Sequence, residues 1–491
     1  MRHHRILTAL ASMGLATAGL AMVGQSAEAA DSRCNRTNDS VRKLLECVTL
    51  DGVLEHQEAF QEIADENGGT RASGTKGYDE SADYVEGRLE RAGYAVSRQE
   101  FTFHAFAVEG PSALQQTAPT PTTYVENTDF TPTPQSEPGD VTAAVTPVDL
   151  ALGAGNASTS GCEDADFDGF PAGNIALIQR GTCTFAQKGN MAAQNGASAI
   201  IFFNQGNTPD REGIPAVTLG DGYAGDIPAV NATYARGVEW SQTSQLQMRV
   251  FANVSRVLTT TENVIAESRG GDATNVVMAG AHLDSVEAGP GINDNGSGSS
   301  ALIETAEQLA KVKPKNKLRF AWWGAEEASL VGSTFYVGQL TEAEGDAIEL
   351  YLNFDMIGSP NYGLFILDGD GDAFGTAGPD GSDDIEALFE RYYVEQGEIS
   401  APKAFDGRSD YQPFTNVGIP AGGLFTGAEV PKTAQQVGWW GGTAGIPFDP
   451  CYHAACDTID NLDHHALALN ADAVAYAVYL YASGREAINQ N

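Results

Sequence analysis

NVVMAGAHLDSVEAGPGINDNGSGSSALIETAEQL (residues 275–309) runs from an apolar segment into His282. It then crosses a Gly-rich turn holding Asp294 and enters a segment with Leu302, Ile303, Ala306 and Leu309 at helical spacing. Strand, turn and helix in that order form the repeating unit of an α/β sheet, whose site residues gather at the carboxyl ends of strands. The rhythm recurs downstream. KLRFAWW (317–323) leads to the adjacent Glu326 and Glu327, and LYLNF (350–354) leads to Asp355. PCYHAACDT (450–458) adds His453.

Two imidazoles and three carboxylates suit a divalent metal that must polarise a carbonyl and generate hydroxide near neutral pH. Two ions close together need a shared carboxylate. Asp294 is the natural bridge, because its Gly-rich turn lets the backbone fold closely round metals. The glutamate doublet follows a buried strand, where neighbouring side chains diverge, one to metal and one to water. Any one of these residues alone reads better as a core histidine or a solvated acid in a chain with 65 Asp and Glu. Their joint placement after apolar runs carries the metal reading.

At these residues the chain resembles the secreted bacterial dinuclear zinc aminopeptidases, the leucine-preferring type related to vacuolar aminopeptidase Y, over nearly the whole mature chain. The resemblance implies one zinc on His282 and Asp355 and the other on Glu327 and His453, with Asp294 bridging. Glu326 is then the general base. Asp284, in AHLDS, orients the ligand imidazole, and Tyr452 donates to the oxyanion, although an ordinary half-buried aromatic fits Tyr452 as well. FDGRSDYQPF (405–414) resembles the family's substrate loop, in which Arg408 contacts a peptide or product carboxylate; a structural ion pair with Asp406 or Asp410 stays open. The implied function is hydrolysis of N-terminal, large apolar residues such as leucine from peptides with free N-termini. The alternatives are a carboxypeptidase or dipeptidase on the same scaffold, or a non-catalytic secreted binding protein.

The expected fold is α/β, a mixed sheet flanked by helices of the zinc exopeptidase type, interrupted by a β-rich domain. LDGVLEHQEAFQEIADENGG and YDESADYVEGRLERAGY read as helices and VSRQEFTFHAF as a strand. TAPTPTTYVENTDFTPTPQSEPGD (117–140), rich in Pro and Thr, reads as a linker or an extended excursion rather than core. GNIALIQRGTCTFAQKGNMAAQNGASAIIFFNQ resembles the protease-associated domain and carries no catalytic spacing, so it is expected to flank the cleft and influence access. The organisation expected is a peptidase domain over 30–129 and 256–491 with the protease-associated domain at 130–255.

Residues 1–29, basic at Arg2 and Arg5, then apolar, then Ala27-Glu28-Ala29, read as a secretory signal. No other stretch is long and apolar enough to span a membrane, so a secreted, extracellular monomer is expected. Cys34, Cys47, Cys162, Cys183, Cys451 and Cys456 fall into three local pairs, the simplest of fifteen connectivities, in keeping with an oxidising compartment. A pair joining Cys451 to Cys456 would clamp Tyr452 and His453. The formal charge of −37 excludes nucleic acid and anionic lipid as partners. DADFDG (164–169) and LDGDGDAFG (367–375) are candidate Ca2+ loops, with a solvated acidic loop the favoured reading of both because the second lacks the twelfth-position Glu of an EF-hand.

Overall fold

The computed structural model describes residues 34–488 apart from residue 221. The expected signal segment at 1–29 lies outside the described residues. Two eight-stranded sheets organise the chain. The first consists of β1 (Ala95–Val108), β2 (Val254–Glu267), β3 (Asp272–His282), β4 (Asn316–Trp323), β5 (Ile348–Phe354), β6 (Phe365–Leu367), β7 (Ala401–Lys403) and β8 (Ala421–Phe425). Their spatial order is β1-β2-β4-β3-β5-β8-β6-β7. β4, β3, β5 and β8 are parallel neighbours, while β1 with β2, β2 with β4, and β8 with β6 run antiparallel. The sheet is mixed, as the alternation of strand and helix signals implies.

The apolar runs of the central strands bury both faces. In β3, Val277, Ala279 and Ala281 face one core, while Val276 and Met278 face the other with Trp323, Tyr351 and Phe414. The first core lies under α1 (Leu50–Glu66), α2 (Lys76–Ala92), α3 (Gly296–Leu309) and α4 (His464–Ala482). Thr49 and Thr75 cap α1 and α2 by accepting amide hydrogens of the first turn, and α2 ends at Gly93, whose φ of 99° few other residues adopt. α4 starts at His464, where the Asp463 side chain caps it by accepting the amide hydrogen of Ala466.

Parallel alignment fixes the site. His282 pairs in register with Trp323, and Gly280 with Asn353, so His282, the Glu326-Glu327 doublet and Asp355 all leave the sheet at one edge. α3 begins directly under that edge. It comes so close that a Cβ on Gly298 would lie 2.2 Å from the carbonyl oxygen of Phe354.

β1 and β2 pair over fourteen residues, from Ala95↔Glu267 to Val108↔Val254, and the second sheet is inserted between their far ends. Its strands run from Ala113–Ala118 to Gln247–Ala252, with Ile175–Gln179, Ala199–Phe203 and Ala229–Ala232 buried and parallel at its centre. The Pro- and Thr-rich stretch supplies residues to four strands of this sheet, the end of Ala113–Ala118, the start of Gly139–Val148, and the whole of Thr122–Thr123 and Phe130–Pro132. The last two close its two edges, where Pro is tolerated because no ladder bond is lost. The second sheet therefore begins upstream of residue 130. Disulfides join Cys34 to Cys47, Cys162 to Cys183 and Cys451 to Cys456, the order expected from spacing.

Gly298→Ala is expected to lower stability by roughly 2–4 kcal/mol, since the obstruction is backbone and cannot rotate away. Urea unfolding measures this, and a change under about 0.5 kcal/mol would show that α3 has room to shift.

Candidate metal centre

Asp294 stands between the two imidazoles. Its Oδ1 is 3.2 Å from His282 Nε2 and its Oδ2 is 3.2 Å from His453 Nε2. Asp355 Oδ1 lies 3.5 Å from His282 Nε2, and Glu327 Oε2 lies 3.1 Å from His453 Nε2. The result is two groups, His282-Asp294-Asp355 and Asp294-Glu327-His453, each with its donor atoms within 4.8 Å of one another and sharing Asp294. The structure thus brings together all five residues singled out as ligands, in the two groupings drawn from the resemblance.

The donor set fits divalent ions by two observations. His282 Nδ1 lies 3.0 Å from the Asp284 carbonyl, which can only accept, so Nδ1 carries the hydrogen and a neutral ring turns the Nε2 lone pair toward two carboxylates. Acceptors facing acceptors need a cation or a proton between them. Glu327 Oε1 is buried with no hydrogen-bond partner, a free donor for a metal.

Electrostatics say the same. Burial alone would depress both imidazoles, yet the surrounding carboxylates outweigh it: Glu326 and Asp355 hold His282 well above the usual range, and Glu327 and Asp294 hold His453 at about 11. Asp294 is buried, which raises it, but the two imidazoles pull it far below the ordinary carboxylate range. Burial, then the Asp294 charge, lifts Glu327 to about 7. Burial is also the main force raising Glu326, opposed by His282 and reinforced by Asp410, Asp355 and Glu327. The metal-free site is therefore proton-loaded.

Several residues that fix this geometry were not foreseen. Arg71, fully buried, donates from Nε to the Pro290 carbonyl at 2.8 Å, from Nη2 to Gly291 at 2.7 Å and from Nη1 to Leu283. It fastens the turn before Asp294 to the residue after His282. Asp457 accepts the amides of Asn293 and Asp294 at 2.9 and 3.0 Å, and Asn461 ties Asp457 to Asp449. Asp355 accepts from Ser409 Oγ at 2.6 Å, at the end of a relay in which Trp323 donates to Tyr351, Tyr351 to Asn353, and Asn353 to Ser409. Asp284 contacts the His282 ring and also reaches beyond it. Its backbone carbonyl meets the His282 ring while its carboxylate, 3.6 Å from Nδ1, accepts the amides of Glu326 and Glu327.

The Cys451–Cys456 bond encloses Tyr452 and His453, whose rings stack at 3.8 Å. The Tyr452 hydroxyl accepts from Arg408 Nη2 at 3.1 Å, and Arg408 pairs with Glu429 at 2.9 Å. The ion pair is with Glu429; Asp406 instead accepts the Arg408 backbone amide, and Asp410 is fully buried. A cavity of about 430 Å3 opens over the five candidate ligands, Glu326, Tyr452 and Arg408, and continues between Phe365, Phe374, Phe425 and Phe448. Every described residue lining it comes from the first-sheet domain.

Residues 263–478 match the model of Peptidase family M28, and residues 141–240 that of the PA domain. An aminopeptidase of Pseudomonas aeruginosa is 56% identical over 430 residues, covering 88% of this chain and 80% of that protein. Leucine aminopeptidase 2 of Trichophyton equinum is 47% identical over 329 residues, 66% of each chain. The aminopeptidase from Aneurinibacillus sp. strain AM-1 superimposes with a TM-score of 0.70 at 27% identity, covering 90% of this chain and 96% of that one.

Because the imidazoles must give up protons for metal to use Nε2, zinc binding to the metal-free protein is expected to release protons near neutral pH. Apparent affinity should fall as pH is lowered from about 8 to about 5. Calorimetry in buffers of different ionisation enthalpy measures the release, and proton-neutral binding would contradict the loaded state.

Proposed function

This chain belongs to peptidase family M28 and is an aminopeptidase with an inserted PA domain, and from that premise we propose that it is a dinuclear zinc enzyme removing large apolar residues from the free N-termini of peptides. The observation that carries the reading is the opposed aim of the two Asp294 oxygens, one at each imidazole. His282, Asp355 and one oxygen of Asp294 would hold the first ion; the other oxygen, Glu327 and His453 would hold the second. Such ions lower the pKa of water and polarise a carbonyl.

Glu326, unlike Glu327, belongs to neither ligand group and lines the cavity beside both. In this reading it takes the proton of the attacking water and returns it to the leaving amine. Burial and the nearby carboxylates keep the Tyr452 phenol protonated, so it serves as a donor to the developing oxyanion. Arg408, donating to the phenol oxygen, leaves the Tyr452 proton free to point at substrate. The aromatic end of the cavity accepts the first side chain, in keeping with a leucine preference. Arg408 is neutralised by Glu429, which argues against its serving as the carboxylate clamp of a carboxypeptidase.

Three disulfides favour work outside the cytoplasm, and no helix among the described residues is long and apolar enough to cross a membrane. The strongly acidic chain suits a monomer acting on peptides rather than on nucleic acid or lipid.

Glu326→Gln is expected to cut kcat by at least about 1000-fold, in the range for loss of an acid-base group, while two zinc ions per chain remain by metal analysis. Turnover near the wild-type rate would remove Glu326 from the chemistry. On paired substrates, leucyl anilide should be cleaved and its N-acetyl form left intact; equal rates would exclude recognition of the free amine.

A further inference from the structure

A second acidic cluster lies behind the cavity lining, next to Leu367 and Phe374 and apart from the candidate zinc ligands. Asp368, Asp370 and Glu386 bring carboxylate oxygens within 4.8 Å of one another. Asp368 and Asp370 belong to the loop LDGDGDAFG (367–375), while Glu386 projects from the helix Ser382–Gln396 that follows. Asp368 is completely buried, and its Oδ1 has no hydrogen-bond partner. Leaving such an oxygen unpaired is costly, and buried charges are otherwise found paired or on metals. No Lys or Arg among the described residues forms a salt bridge with any of the three.

We propose that Asp368, Asp370 and Glu386 form a calcium site that fixes one wall of the cavity. The donors are all oxygen, with neither His nor Cys, which selects a hard cation over zinc. Two oxygens on opposite sides of a calcium ion, each about 2.4 Å from it, stand about 4.8 Å apart, so a group of this span can close round one ion. The loop has no twelfth-position Glu, and Glu386 supplies that carboxylate from the next helix. Its Oε2 accepts the amides of Gly369 at 2.8 Å and Asp370 at 3.2 Å, which holds the carboxylate against the loop. The other oxygen of Asp368 accepts the amide of Phe374 at 3.0 Å. Phe374 and Leu367 both line the cavity, although the Phe374 ring is more than half exposed. A cation on Asp368 would thereby immobilise the segment that presents Phe374 to a bound side chain. The second acidic loop, DADFDG (164–169), has no comparable buried, unpartnered oxygen.

Calcium binding here is independent of the reaction proposed above and is tested without it. Calcium chloride is titrated into the zinc-loaded, full-length protein, with hydrogen exchange of residues 368–378 and Tm as readouts. Saturable protection of that segment, about tenfold or more, and a Tm rise of about 3 °C at a hundredfold excess over Kd are expected. Asp370→Asn, at an exposed position, and Glu386→Gln should each abolish both responses. Absence of saturable protection in the wild type, equal protection in both variants, or equal protection by magnesium would overturn the assignment.

Discussion

Unbalanced negative charge at the edge of the first sheet is the constraint on which the rest of the structure depends. Asp284, Asp294, Asp355, Glu326, Glu327 and Asp410 converge there on two imidazoles. Like charges at such distances repel by several kcal/mol in a partly desolvated site. Protons or cations relieve part of that repulsion, and rigid attachment holds the groups against the rest, with each element of the fold contributing to it. The parallel register of β3, β4 and β5 sets the spacing along the edge. Arg71 lies beneath as a buried cation whose field reaches Asp284, Asp457 and Asp294. It also binds the carbonyls of Leu283, Pro290 and Gly291, at the two ends of the stretch between His282 and Asp294. Ser409 Oγ occupies one oxygen of Asp355 and leaves the other turned toward His282.

The two glutamates of the doublet show how position converts one residue type into two roles. Both follow β4, and both amides are held by the Asp284 carboxylate. Glu327 turns toward His453 and leaves a buried oxygen unpaired, which suits a ligand. Glu326 joins neither ligand group and faces the cavity, which suits a proton carrier. Ala325 between strand and doublet has a φ of 53°, so the chain changes direction there and the two carboxyls diverge.

The convergence of the candidate ligands was largely legible in the sequence because they follow apolar runs, and parallel strands deliver their ends to one edge. What remained hidden depends on long-range closure. Arg71 lies more than 200 residues before the carbonyls it binds, in a stretch whose composition suggests only a helix boundary. Asp457 and Ser409 are ordinary loop residues until folding places them beside Asp294 and Asp355. Asp284 was found by motif, but its divided role, carbonyl to the ring and carboxylate to the doublet, requires coordinates. The start of the inserted sheet was missed because short edge strands tolerate the Pro and Thr content that otherwise marks a linker. The local disulfides were legible because short separations leave few competing partners.

The ribbon of β1 and β2 gives the inserted domain a particular standing. Val108 and Val254 are cross-strand partners, so the chain leaves and re-enters the first sheet at neighbouring points about 5 Å apart. To the catalytic sheet, the whole insert is equivalent to the loop of a hairpin. The entropy of closing that loop depends on whether the insert's own ends meet, and they do so through pairing of Ala113 with Phe251 inside its sheet. Each domain can thus satisfy the other's end-to-end constraint without sharing a core. Such a junction lets a module be gained, lost or exchanged while the register that aligns the metal ligands stays intact.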